Sequence, residues 1–81
     1  MPIVLRTKGY RFEFYASDGD EPPHIHVKKD KKHAKFWIDP VVLLEFSGRF
    51  RPHEVTEVRK LVEQNRDLLL EAWHEFFGHR A

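Results

Sequence analysis

The sequence contains no cysteine among its 81 residues. This absence excludes disulfide frameworks, thiolate zinc sites, iron–sulfur clusters and cysteine nucleophiles, so any metal ion must be bound by histidine, aspartate or glutamate. Long apolar runs are also missing: no segment approaches the roughly 20 apolar residues of a membrane span, and the first residues, MPIVLRTKGY, lack the apolar run of a signal peptide. These absences favour a cytoplasmic protein without membrane segments.

A large excess of charge of one sign is missing as well. The formal net charge is +1, which argues against a dedicated nucleic-acid binder. The charge is uneven, because residues 1–51 carry ten Lys/Arg against seven Asp/Glu, and residues 52–81 carry four against six. A chain of this length forms a single domain, residues 1–81, whose small core leaves little stability to spare.

The first half alternates apolar and polar residues, which predicts a meander of four or five short antiparallel strands over about residues 2–46. The clearest strand is YRFEFYA, where aromatic residues alternate with charged ones. HIHVKK and HAKFWID alternate in the same way, and the turn residues of SDGDEPP precede them. We expect a short first strand before Gly9 and, in the apolar run VVLLEF, a last strand buried on both faces.

The second half changes to a helical period over about residues 52–77. Pro52 suits the first position of a helix, and apolar residues then recur at spacings of three and four. Because QNRD interrupts this stripe, we expect one kinked long helix or two tandem helices, with Asn65 or Asp67 capping the second. The helices should pack on the sheet, so the predicted fold class is α+β.

Three of the six histidines fall within the stretch EPPHIHVKKDKKH. His24 and His26 are two residues apart, so they project from one face of a strand about 7 Å apart, and His33 on the next strand can approach them. Imidazoles in this arrangement can converge on one divalent metal ion without backbone strain. The candidate ligands are His24, His26 and His33, completed by Asp18, Asp20 or Glu21 in the preceding turn.

The same three histidines, His24, His26 and His33, are also candidate catalytic residues for metal-independent cleavage of RNA. Histidine, with a pKa of about 6.5, can act as general acid or base, and a lysine can stabilise the charge of the phosphorane. A structural interpretation stands beside both, in which His24 and His26 hydrogen-bond the backbone of the turn and lock the start of the strand.

Lysines surround the histidines and can neutralise the phosphates of RNA without reading its sequence. The candidate nucleic-acid or anion contacts are Lys28, Lys29, Lys31, Lys32 and Lys35. The alternative is a solvated hairpin tip whose lysines prevent edge-to-edge aggregation. No helix-turn-helix or ribonucleoprotein motif accompanies them, so the sequence argues against sequence-specific DNA binding.

Several large apolar residues bear on contacts with other molecules. Trp37, on the predicted strand face of His33 and Lys35, is a candidate interface anchor or base-stacking platform. Trp73 and Phe76, at helical spacing, are expected in the core. VVLLEF together with Leu68 and Leu70 gives more apolar surface than a thin sandwich of sheet and helices needs, which favours a homo-oligomer or a cognate protein partner.

Three segments, FYASDGDEPPHIHVKK, AKFWIDPVVLLEFSGRF and EVRKLVEQNRDLLLEAWHEFFG, carry a resemblance over nearly the whole chain. They resemble a small prokaryotic family, domain of unknown function family 4160, typified by Pro-Pro-His-x-His-[Val/Ala], a strand leading to an Asp, and Leu-Leu-x-x-Trp. The resemblance implies no catalytic residue. It does imply a place in a two-gene module, so we expect a partner-binding component of a toxin–antitoxin-like system, with its partner encoded nearby.

Overall fold

The computed structural model describes residues 3–78 and contains a five-stranded antiparallel sheet followed by two helices. The elements are β1 (Ile3–Thr7), β2 (Tyr10–Glu13), β3 (His24–Lys29), β4 (Lys32–Trp37), β5 (Leu43–Gly48), α1 (Pro52–Gln64) and α2 (Arg66–Phe77). A 3₁₀ turn, Ala16–Asp20, links β2 to β3. The strand order is β1-β2-β3-β4-β5, so every strand pairs with its neighbours in sequence. This architecture confirms the predicted α+β fold.

Two-residue turns set the register of the first and third hairpins. Gly9 adopts a φ of 84° between β1 and β2, a conformation that glycine reaches without steric cost. Asp30 adopts a φ of 55° between β3 and β4, which aspartate tolerates better than most residues. The turn at Asp30 sets the register in which His26 pairs with Lys35 and Lys28 with His33 across β3 and β4.

The apolar core lies between one face of the sheet, here called the helix face, and the two helices. Alternate residues of β2, β3 and β4 point to this face, because successive side chains of a strand lie on opposite sides. Its fully buried apolar side chains are Tyr10, Phe12, Phe14, Ile25, Val27, Phe36 and Ile38, joined by Val58, Val62 and Leu69 of the helices. The predicted packing of the helices on the sheet is therefore confirmed.

The helical region divides at Asn65, where QNRD interrupts the apolar stripe. The Asn65 backbone N–H donates to the Leu61 carbonyl oxygen at 3.1 Å, and Asn65 Nδ2 donates to the same oxygen at 2.8 Å. The expected break is confirmed, with two tandem helices, although the Asn65 side chain satisfies a carbonyl of α1 and not the N–H groups of α2. Neither helix described in residues 3–78 is long and apolar enough to cross a membrane.

Two predictions about apolar residues are wrong. VVLLEF is not buried on both faces, because β5 is an edge strand of which only Leu44 and Ser47 are even partly buried. Phe76 is 46% exposed while Trp73 is 4% exposed. Residues three apart on a helix lie about 60° apart around its axis, so Phe76 falls at the border of the buried stripe.

Candidate metal centre

The side of β3 and β4 opposite the helix face is here called the histidine face. It carries His24, His26 and Lys28 on β3, and His33, Lys35 and Trp37 on β4. His24 is 0% exposed and His26 6% exposed, which the alternating pattern alone does not indicate. The rings of Trp37 and Trp73 lie 5.4 and 5.1 Å from that of His24, centroid to centroid, and complete its burial.

The 3₁₀ turn folds over the histidine face and brings Asp18 to both buried histidines. Asp18 Oδ1 lies 3.2 Å from His24 Nε2, and Asp18 Oδ2 lies 3.1 Å from His26 Nε2. Tyr15 fixes the turn, because its N–H donates to Asp18 Oδ2 at 2.8 Å. Burial opposes ionisation of Asp18, but the Tyr15 N–H, together with the attraction that His24 and His26 exert when they are protonated, outweighs it and lowers the pKa of this carboxyl group. Asp18 is therefore a carboxylate at neutral pH.

His24 directs a ring nitrogen at this carboxylate without forming a hydrogen bond. Its Nδ1 lies 2.9 Å from the carbonyl oxygen of Pro22, an atom that only accepts, so Nδ1 carries the proton. In the neutral ring Nε2 then presents its lone pair to the Asp18 oxygen. Within residues 3–78 this buried Nε2 has no hydrogen-bond partner. Either a second proton or a metal ion between the two atoms would remove the repulsion.

His33 continues the cluster from His26 towards the surface. Its Nε2 lies 2.9 Å from His26 Nδ1, and one nitrogen of this pair must donate. When His26 Nε2–H donates to Asp18, Nδ1 accepts from His33; when Nε2 is unprotonated, Nδ1–H donates to His33 instead. The two histidines can thus present a proton or a lone pair towards Asp18 without movement of any heavy atom.

The electrostatic surroundings keep these two rings neutral. Burial lowers the pKa of His26, although Asp18 opposes the shift. Burial also lowers the pKa of His33, and the positive charge of Lys28 lowers it further. Both rings are therefore in the neutral form at neutral pH, with one N–H and one lone pair each, which is the form of imidazole that binds a metal ion.

Asp18, His24 and His26 fit a metal ion in chemistry and in spacing. One potential ligand atom from each lies within 4.8 Å of the other two. Tetrahedral zinc with bonds of about 2.0–2.2 Å places its ligand atoms about 3.3 Å apart. Each imidazole lies at about this distance from a different oxygen of the carboxylate, His24 Nε2 at 3.2 Å from Oδ1 and His26 Nε2 at 3.1 Å from Oδ2. Pro22 and His33 contact the far nitrogens of both rings, as the outer hydrogen-bond partners of metal ligands do.

The other predicted ligands lie outside this group of three. Glu21 Oε1 accepts a hydrogen bond from Lys35 Nζ at 2.7 Å and lies 3.6 Å from His24 Nδ1, the nitrogen that faces away from Asp18. Asp20, at the exposed end of the turn, does not join the cluster among the described residues. His33 enters as the hydrogen-bond partner of His26. Of the three acids proposed from sequence, Asp18 is therefore the one that contacts the Nε2 atoms of both buried histidines.

Most of the predicted lysine contacts are engaged within the chain. Lys28 pairs with Glu13 at 3.3 Å, Lys32 with Glu54 at 2.6 Å and Lys35 with Glu21 at 2.7 Å. Lys29 lies over the ring of Tyr10, and Lys31 is exposed in the turn. Only Lys28 and Lys35 thus flank the histidines, and Lys32 reaches α1. This distribution does not form one continuous basic surface.

Trp37 is partly buried and held in place by two polar neighbours. Its Nε1–H donates to Glu45 at 3.1 Å, and Lys35 Nζ lies 4.6 Å from the centre of its ring. Sequence reasoning missed Tyr15, whose ring centre lies 4.2 Å from that of His26. Its alternation with Phe14 in YRFEFYA places Tyr15 on the histidine face, and this signal could have found it.

Comparison with known proteins gives a family but no relative of assigned activity. A family model described as Domain of unknown function (DUF4160) matches residues 9–74. That range contains the whole cluster and most of both helices. No match was found among curated proteins or among solved structures.

Proposed function

We propose that this chain, which belongs to the DUF4160 family, is a metal-binding domain with Asp18, His24 and His26 as ligands. One observation carries the proposal. The buried Nε2 of His24 faces a carboxylate oxygen 3.2 Å away and has no hydrogen bond within the described part of the chain. A metal ion uses that lone pair and the charge of Asp18 together.

The ligand types favour a divalent transition metal. Imidazole suits zinc, iron, copper and nickel, whereas magnesium and calcium prefer sites made only of oxygen. Zinc is the ion we expect first, because it accepts two imidazoles and one carboxylate in tetrahedral geometry and leaves the fourth position to another ligand. The ion would also offset the buried negative charge of Asp18.

Burial of the ligands supports a structural role for the ion, in which a fourth ligand from outside this group of three would close the site. It would fasten the 3₁₀ turn to β3 and so close the histidine face. A domain of 81 residues has a small core, and small domains commonly gain stability from a bound metal. Binding would then be coupled to folding, as in other small metal-binding domains.

The metal content of untagged protein tests this proposal, since a histidine tag would bring ligands of its own. After zinc loading and gel filtration, we expect about one ion per chain, and little in Asp18→Asn or His24→Gln. His53→Gln is the matched control, because His53 is exposed on α1 and should leave the content unchanged. Wild-type protein without stoichiometric zinc, iron, copper or nickel would overturn the proposal.

We also propose that the domain is the partner-binding component of a toxin–antitoxin-like two-gene module. The support is apolar surface: among residues 3–78, six large apolar side chains are at least 40% exposed, namely Ile3, Val41, Leu43, Phe46, Leu68 and Phe76. Such surface commonly marks interaction sites. We expect induced expression of one gene of the pair to arrest growth, and the other gene to restore it. Normal growth, with no co-purified product of the adjacent gene, would contradict this role.

Metal-independent cleavage of RNA is a weaker candidate function. A general acid and a general base must both reach the substrate, yet His24 and His26 are buried and only His33 is partly exposed. RNA cleavage that disappears in the His24→Ala/His26→Ala double variant would favour this function. Equal cleavage by the wild type and the variant would remove it.

A further inference from the structure

A groove lined with apolar side chains lies between β1 and α2. β1 is an edge strand, so its outer side has no neighbour in the sheet. Val4 and Ala72 line the groove along its length, Phe14 and Phe76 line one part, and Leu68 lines the other. None of these residues belongs to the candidate metal centre.

α2 contributes two parallel rows of side chains to this groove. The apolar row is Leu68, Ala72 and Phe76, and the acidic row is Asp67, Glu71 and Glu75. Residues four apart lie on the same side of a helix, so each row is continuous. The first and last residues of each row are eight positions apart, or about 12 Å, which makes an apolar strip with an acidic border.

Within the part of the chain that the structure describes, both rows remain largely without partners. Leu68 and Phe76 are both nearly half exposed. Among residues 3–78, Glu71 and Glu75 form no ion pair, and Asp67 has one contact of 4.0 Å with Arg66 Nη1. Like charges four apart disfavour a helix, and Glu75 also lies in the last turn, where the helix dipole disfavours an acid. A cationic neighbour would relieve both effects.

We propose that this groove binds an amphipathic α-helix of a partner protein, with Lys or Arg along one border of its apolar stripe. Apolar residues at positions i, i+4 and i+7 of such a helix span about 10.5 Å, which matches the apolar row. Its cations would then lie beside Asp67, Glu71 and Glu75. The inference rests on the partner-binding role proposed above and is independent of the metal.

Two synthetic helical peptides serve as probes, one with lysines beside a leucine stripe and one with glutamates in place of the lysines. By fluorescence anisotropy we expect the chain to bind the lysine peptide at least about tenfold more tightly. In Glu71→Lys/Glu75→Lys this preference should invert. Both glutamates are exposed, and thermal unfolding checks that the variant folds. Glu63→Lys reverses one negative charge at an exposed position of α1, outside the groove. This variant should keep the wild-type preference.

The apolar row is tested separately from the charges. Phe76→Ala should weaken binding of the lysine peptide about tenfold. Leu43→Ala, which shortens an exposed side chain on β5, should leave the affinity unchanged. Equal affinity for the two peptides, or a preference that survives Glu71→Lys/Glu75→Lys, would overturn the proposal. A wild-type dimer in sedimentation that this double variant dissociates would assign the groove to a second copy and also overturn it.

Binding of the protein encoded by the adjacent gene distinguishes a failure of the groove proposal from a failure of the proposed two-gene role. If this protein binds the wild type and Glu71→Lys/Glu75→Lys equally, the partner-binding role holds and the groove is the wrong surface. If it does not bind the wild type while the peptides behave as expected, the groove is supported and the two-gene role fails.

Discussion

The helix face and the histidine face of the sheet both contain fully buried side chains, but these are buried by different means. On the helix face, rings such as those of Phe12 and Phe36 pack in the core between the sheet and the helices. Apolar burial of this kind depends on complementary shape and requires no hydrogen-bond partner. On the histidine face, His24 and His26 are buried beneath Asp18, and each polar atom needs a partner of the right kind. For this reason the histidine face is informative about function: its buried His24 Nε2 has no hydrogen-bond partner among the described residues, and the metal proposal rests on that atom.

The largest loss of stability is expected on the helix face. Phe36→Ala removes a fully buried ring and should lower the free energy of unfolding by about 3–5 kcal/mol. Phe46→Ala, on the neighbouring strand and 42% exposed, should cost less than about 1 kcal/mol. Urea denaturation followed by circular dichroism measures both. Similar losses for the two variants would contradict the difference in burial.

The histidine face should respond to metal, whereas the helix face should not. Zinc at about 100 times its Kd should add about 2.7 kcal/mol of stability, which raises the Tm of a chain of this size by about 10–20 °C. Calorimetry with and without a chelator measures the shift. His53→Gln, at an exposed position of α1, should keep the shift, and Asp18→Asn should lose it. An equal shift in Asp18→Asn would place the ion elsewhere.

A smaller effect on zinc binding is expected for His33, which contacts the proposed ligand His26 but is not itself a proposed ligand. His33→Ala removes the hydrogen bond to His26 Nδ1 and should weaken zinc binding about 10–100-fold, as loss of an outer partner does. Competition with a chromophoric chelator measures the affinity, and His53→Ala is the control. Unchanged affinity would show that His33 does not position His26. Complete loss of binding would make His33 a ligand.

The last prediction concerns a polar group on the helix face whose effect on stability changes only at high pH. The Tyr10 hydroxyl donates to Glu57 Oε1 at 2.7 Å. Burial, and to a lesser extent the contact with Glu57, raises the pKa of Tyr10 to about 12. The unfolded value is about 10, so this stabilisation is complete below pH 10 and disappears as the pH rises through about 12. Titration by ultraviolet absorbance should find this pKa, and Glu57→Gln should lower it only in part. A Tyr10 pKa at the unfolded value would contradict the contact.

Local patterns predicted most of the fold. Alternation in HIHVKK and HAKFWID identified β3 and β4 because a period of two is a property of the strand itself. The break at Asn65 followed in the same way from an interrupted stripe. The exposure of β5 did not, because VVLLEF has no alternation and its burial depends on where the helices lie. The same applies to Phe76, whose position at the border of the stripe depends on the packing of α2.

The candidate site could be predicted only in part. The spacing of His24 and His26 places both on one face, and the short connection after β3 brings His33 near them. The choice of Asp18 over its neighbours depends on the 3₁₀ turn, in which the Tyr15 N–H holds the carboxylate. That turn contains no periodic pattern, so its direction across the sheet follows from tertiary contacts and not from the local sequence.

The order of the strands has a consequence for synthesis of the chain. The candidate metal centre and its hydrogen-bond partners lie between Tyr15 and His33, whereas the core also requires Trp73, which is 40 residues further on (73 − 33). At about 5–20 residues per second, translation takes about 2–8 s to cover that distance. During this interval Asp18, His24 and His26 are already synthesised, while the residues of α2 that cover the helix face are not. If the proposed metal site is real, its three ligands are therefore made before the chain can complete its core.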